Sequence, residues 1–108
     1  MEVTSFLEEK TLIVVPSGKL DTFNAPKFGA ELAKLLEERP ESCLLDLSEV
    51  TFLSSSGLQV LLAGAKTSKK EGIEYRVFGM QEMVNDVFFL SGFNNFIESF
   101  GTKQEALA

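Results

Sequence analysis

The amino-acid sequence predicts an α/β domain with a mixed sheet. Strand-like and helix-like hydrophobic spacings alternate along its 108 residues after an opening hairpin. The run Ser42 to Leu47, with Cys43, Leu44, Leu45 and Leu47, is almost unbroken in apolar residues. A central strand covered on both faces requires such a run.

Val3–Leu7 and Thr11–Val15 read as the first two strands, with Glu8-Glu9-Lys10 turning between them. Pro16-Ser17-Gly18 is expected to interrupt the second strand, and a brief extended piece, Lys19 to Asp21, leads into a helix. Asn24 is placed to cap that helix, and Pro26 is tolerated in its first turn. Ala25, Phe28, Leu32, Leu35 and Leu36 share one helical face, and Pro40 closes the segment. After the central strand, a second helix follows Ser54-Ser55-Ser56-Gly57. Its Leu58, Leu61, Leu62 and Ala65 fall at i, i+3, i+4 and i+7, Lys66, Lys69 and Lys70 suit its C-terminal end, and Gly72 supplies the stop. Ile73–Phe78 is another strand. Gln81–Leu90 is a third helix with Val84, Val87 and Phe88 on one face, ended by Ser91-Gly92. Phe96–Phe100 reads as a last short strand or helical turn. With no repeat, low-complexity tract or linker, residues 1–101 are expected to form one domain, and 102–108 a short tail free to fray.

Composition narrows the function. Hydrophobic residues make up 44% of the chain and charged ones 24%, too apolar for disorder and too charged for a membrane span. The longest apolar runs (Leu12–Val15, Val60–Ala63, Val87–Leu90) fall far short of the ~20 residues that cross a bilayer. No charged-then-apolar leader opens the sequence, so a cytosolic location is expected. A net charge of −6 repels phosphate backbones and fits a basic protein partner without selecting one. Cys43 is the only cysteine, which excludes an internal disulfide, and its leucine neighbours suit a core position.

The absence of histidine removes Ser-His-Asp and Cys-His catalysis and the commonest transition-metal ligand. Neither G-x-x-x-x-G-K-[ST] nor G-x-G-x-x-G occurs. A Ser-Lys pair would need a lysine at the serine loop, and Lys66, Lys69 and Lys70 lie about 15 Å or more along the helix from Ser55. The chain is therefore expected not to be an enzyme and to need no cofactor of its own.

In open α/β sheets, sites gather beyond the carboxyl ends of strands, which directs attention to the segment after Asp46-Leu47. Phe52-Leu53-Ser54-Ser55-Ser56-Gly57-Leu58 stands there, between a buried strand and an amphipathic helix. With Ser56 as N-cap, Gln59 is N3 and the S-x-x-Q capping box is complete. Ser54 and Ser55 are left near the positive end of the helix, where a modification or an anion is tolerated. Capping and a modification or anion site both remain open. Asp21 and Asn24 either brace the turn before the first helix or line a partner surface beside Ser55. Asp46 is expected to brace its loop. Phe88, Phe89, Phe93, Phe96 and Phe100 are expected mainly in the core, with some exposed.

Three segments taken in order carry a resemblance: Gly18-Lys19-Leu20-Asp21-Thr22-Phe23-Asn24, Leu45-Asp46-Leu47-Ser48-Glu49-Val50, and Phe52 to Leu58. Together they resemble the successive signatures of STAS domains, and in particular the bacterial anti-sigma factor antagonists. The similarity extends over almost the whole chain, including the Gly79 turn. It implies a single STAS-like domain, with a four-to-five-stranded mixed sheet flanked by helices, that works by binding rather than catalysis. Its implied partner is an anti-sigma factor of the serine/threonine kinase type, which uses ATP and magnesium; binding it frees a sigma factor. Neither nucleic acid nor membrane is implied as a partner.

The resemblance further implies that the kinase phosphorylates a serine at the start of the second helix, breaking the complex, and that a serine phosphatase reverses this. The family's loop reads Asp-Ser-[Ser/Thr]-Gly. Aligned on Gly57, the acceptor is Ser55 and the following position Ser56, while Ser54 stands where the family has Asp. Ser54 and Ser56 are alternative acceptors. Asp21, Asn24, Ser54, Ser56, Gly57 and Leu58 are the implied partner contacts. The departure at Ser54 also admits a second reading, a ligand-sensing STAS module that binds a nucleotide or other anion at the same helix N-terminus.

Overall fold

The structure is a computed structural model describing residues 1–108. β1 (Glu2–Glu8) and β2 (Thr11–Leu20) form the opening hairpin, antiparallel with Glu8 opposite Thr11. The two turn residues are Glu9 and Lys10, and Glu9 takes a left-handed φ of 58°. α1 (Ala25–Leu36), β3 (Ser42–Asp46), β4 (Val50–Leu53), α2 (Ser55–Glu71) and β5 (Glu74–Phe78) follow. The chain ends with α3 (Glu82–Leu90), a 3-10 turn (Phe93–Asn95), β6 (Glu98–Phe100) and α4 (Lys103–Leu107).

The sheet runs β1-β2-β3-β5-β6, antiparallel only at its first pair, and β4 pairs in parallel with β2 off that path. Six strands replace the four or five expected from sequence. The added strand is β4, which spans the junction between the Leu45–Val50 segment and the serine segment that begins at Phe52. Its β-branched and aromatic residues were the available signal.

β2 also corrects an expectation, because Pro16-Ser17-Gly18 does not end it. β2 pairs with β3 from Thr11 to Val14 and with β4 from Gly18 to Leu20. Pro16 falls in the gap between these two ladders, where a missing N–H costs no hydrogen bond. The register shifts between Gly18 and Lys19, and Gly18 supplies the φ of 115° needed there. The strand thus reaches Leu20 and brings its end to the serine loop.

One core fills the space between the sheet and α1, α2 and α3. Leu12, Val14, Cys43, Leu45 and Val77 face Phe28, Leu32, Leu61 and Phe88. Alternation along the strands sends Ile13, Leu44 and Phe78 to the opposite face, where Ala106 covers them. Residues 102–108 are therefore not a frayed tail. Thr102 and Glu105 form a complete capping box that starts α4, and Ala106 is fully buried against the sheet. In α3, Val84 and Phe88 point inward, while Val87, expected beside them, is turned outward. Of the other clustered aromatics, Phe93 and Phe100 are half-buried, and Phe89 and Phe96 are exposed. No helix is long and apolar enough to cross a membrane.

Candidate functional site

The parallel pairing of Leu20 with Leu53 sets the ends of β2 and β4 side by side. α2 leaves directly from that edge. Its N-cap is Ser54, whose side chain accepts from the Gly57 N–H at 3.1 Å. The Ser54 N–H and hydroxyl both donate to the Leu20 carbonyl, at 3.0 and 3.1 Å. This corrects the capping read from sequence: the cap is Ser54 rather than Ser56, N3 is Gly57 rather than Gln59, and no S-x-x-Q box forms.

The three serines consequently differ. Ser54 is half-buried and its hydroxyl is used twice. Ser56, at N2, is half-buried with its hydroxyl 3.4 Å from that of Thr22, in the loop between β2 and α1. Ser55, at N1, is exposed, and its hydroxyl makes no hydrogen bond within the chain. The N–H groups of Ser55 and Ser56 precede the helical ladder, at the positive end of a 17-residue helix.

Gly57 and Leu58, implied as partner contacts, are buried and hold the loop from beneath. A Cβ on Gly57 would lie 2.7 Å from both the carbonyl oxygen and Cγ of Leu20, and 3.0 Å from Leu53 Cδ1. Only glycine lets the helix start this close to β2. Asp21 and Asn24 brace the neighbouring loop. Asp21 Oδ1 accepts from the Asn24 N–H at 2.9 Å, and the Asn24 side-chain amide donates to the Lys19 carbonyl at 2.9 Å. Asn24 occupies the N-cap position of α1, but its side chain reaches back along the loop and does not cap the helix. Between these braces, Thr22 reaches toward Ser56 and Phe23 is 88% exposed. That exposure was not foreseen from sequence.

The β3–β4 turn is fixed separately. Asp46 Oδ1 accepts from the N–H of Ser48 at 3.0 Å and from its hydroxyl at 2.6 Å, the bracing role expected of it. Gln81 ties the start of α3 to the same turn by donating to the Ser48 carbonyl at 2.9 Å. Cys43 stands opposite Tyr75 in the β3–β5 ladder. Burial pushes its thiol up to about 12, and burial followed by the neighbouring thiol raises Tyr75 well above its ordinary 10.0. Both are neutral core groups. No cluster of carboxylates and Cys43 is arranged to hold a metal ion.

A mixed sheet that carries a serine-rich helix start to its carboxyl edge, fastened there to the end of β2, defines an α/β domain that displays one exposed serine at that helix start. The chain belongs to the STAS domain family, whose model matches residues 7–106. It is 29% identical over 108 residues to BtrV of Bordetella bronchiseptica, named as an anti-sigma factor antagonist, covering 100% of this chain and 93% of that protein. It is 27% identical over 82 residues to the anti-sigma-B factor antagonist of Listeria monocytogenes, covering 76% of this chain and 72% of that protein. The crystal structure of an anti-sigma factor antagonist from Mycobacterium paratuberculosis superposes with a TM-score of 0.86 at 26% identity, covering 98% of this chain and 92% of that one.

Proposed function

We propose that this chain is an anti-sigma factor antagonist of the cytoplasm. It binds an anti-sigma factor through the surface around the start of α2 and thereby frees a sigma factor. The anti-sigma factor is a serine/threonine kinase using ATP and magnesium. It phosphorylates Ser55 and so ends the complex, and a serine phosphatase restores it. The antagonist itself acts by binding.

The observation that most supports this reading is the division of labour among the serines. Ser54 is committed to the cap and Ser56 leans on Thr22, which leaves Ser55 with an exposed, unbonded hydroxyl. The relatives' names point to the same role. A phosphate at Ser55 brings about −1.5 to −2 charge to a helix N-terminus that tolerates it, so the fold survives. A partner packed over the loop meets a desolvated dianion instead. Losing about 3 kcal/mol of binding free energy lowers affinity by more than a hundredfold.

The test compares Ser55→Asp and Ser55→Ala for binding to an anti-sigma factor captured by the parent protein. Ser55→Ala is expected to bind and Ser55→Asp to stay folded without binding. Equal binding by Ser55→Asp and the parent overturns the charge switch.

A further inference from the structure

α3 buries Val84 and Phe88 but leaves a second apolar stripe in solvent. Met83, Val87 and Leu90 fall at i, i+4 and i+7, with Met83 71% and Leu90 88% exposed. α3 packs against β4, which carries half-exposed Phe52 and runs directly into Ser54 and Ser55. The stripe thus lies on the helix packed beside the strand that leads into the serine loop. An exposed apolar stripe of this kind along one helix marks an interaction site.

Charge selects the occupant. Glu49, Glu82 and Asp86 border this surface, all exposed and none engaged in an ion pair within the chain. Neither segment 47–53 nor segment 79–92 contains a lysine or arginine. Lys19, beside Phe52 in the β2–β4 ladder, is a cation at its margin. A second copy docking through the same face would set Glu82 and Asp86 against their counterparts, and an anionic lipid surface would meet the same repulsion. A helix with an apolar face flanked by arginine or lysine meets both the stripe and its border, and the i, i+4, i+7 spacing suits such helix-on-helix anchoring. Methionine and leucine side chains adapt readily to an incoming apolar face.

We propose that the Met83–Val87–Leu90 stripe, with Phe52, docks an amphipathic helical segment that is apolar on one face and basic at its edges, contributed by the anti-sigma factor. That identity of the partner rests on the function proposed for Ser55. The stripe adds to the loop a second contact area that phosphorylation does not touch.

The test uses isotope-labelled full-length protein and two synthetic amphipathic helices of about four turns with the same leucine face, one edged with arginine and one with glutamate. Amide shifts centred on Met83, Val87, Leu90 and Phe52 are expected with the basic peptide alone. Combined Glu82→Lys and Asp86→Lys should weaken that binding about tenfold or more, and Leu90→Ser, at an open position, should weaken it without affecting the fold. The control, Glu37→Lys with Glu38→Lys just past the end of α1, should leave it unchanged. Shifts spread over other acidic surfaces, equal response to both peptides, or indifference to the α3 variants overturns the proposal. Ser55→Asp should not weaken the peptide. A working Ser55 switch without this peptide map therefore counts against the stripe alone. A peptide map without a Ser55 switch counts against the proposed function and removes the anti-sigma factor as the segment's source.

Discussion

Ser54 is tied to Leu20 twice: its N–H and its hydroxyl both donate to the Leu20 carbonyl, at 3.0 and 3.1 Å. The same hydroxyl accepts from the Gly57 N–H, so one serine fastens the start of α2 to the end of β2. Ser54→Ala is expected to cost about 1–2 kcal/mol in urea unfolding, the value of a lost cap plus a freed carbonyl contact. Ser55→Ala, at an exposed position without a hydrogen bond, should stay within about 0.5 kcal/mol of the parent.

Gly57→Ala should reverse the usual sign of a glycine-to-alanine change in a helix. The ordinary gain is up to about 1 kcal/mol. Here the new methyl meets the Leu20 carbonyl at 2.7 Å, and a backbone atom cannot step aside. A net loss of about 1–3 kcal/mol is expected, read as a lower urea midpoint. Gly64→Ala should behave alike. Its methyl would press within 2.5 Å of the Tyr75 hydroxyl, which donates to the Leu61 carbonyl at 2.9 Å.

Ser68→Ala should stabilise the protein. The Ser68 hydroxyl is fully buried in α2 and has no hydrogen-bond partner. Removing a desolvated, unpaired hydroxyl and gaining helix propensity is expected to add about 1 kcal/mol, measured as a higher urea midpoint.

Stability should fall as pH rises above 9. The Cys43 thiol ionises near 9.0 in the unfolded chain but only near 12 when folded. Between those values the folded state holds the extra proton, so its advantage is complete below pH 9 and is lost on going up. From pH 9 to 10 the loss is about 1 kcal/mol. Above pH 10, Tyr75 adds to the decline in the same direction, because its folded value is also raised. Unfolding free energies at pH 8, 9 and 10 check this, and Cys43→Ala should flatten the slope over that window.

Much of this architecture was legible as sequence because periodicity and stop signals agreed. The Leu58-Leu61-Leu62-Ala65 spacing with Gly72 gave α2 its length, and Gly72 does cap it, with φ 74°. Long-range partnerships were not legible. Whether Pro16 breaks a strand depends on which neighbours pair on either side of it, and the gap between the β3 and β4 ladders is invisible locally. The capping serine was misplaced for the same reason: Ser56 and Ser54 are equally good caps by type, and the Leu20 carbonyl, 34 positions upstream, decides between them. α4 escaped notice because five residues are too few for a periodic signal, although Thr102 and Glu105 already spelled a capping box.

The most direct measurement is a capture from source-cell lysate with and without added ATP and magnesium, followed by mass spectrometry of the peptide containing Ser54, Ser55 and Ser56. The expected result is a kinase-type anti-sigma factor that departs as phosphate appears on Ser55 alone. A partner that stays bound with all three serines unmodified, or phosphate on Ser54 in place of Ser55, would contradict the assignment of Ser55 as the switch.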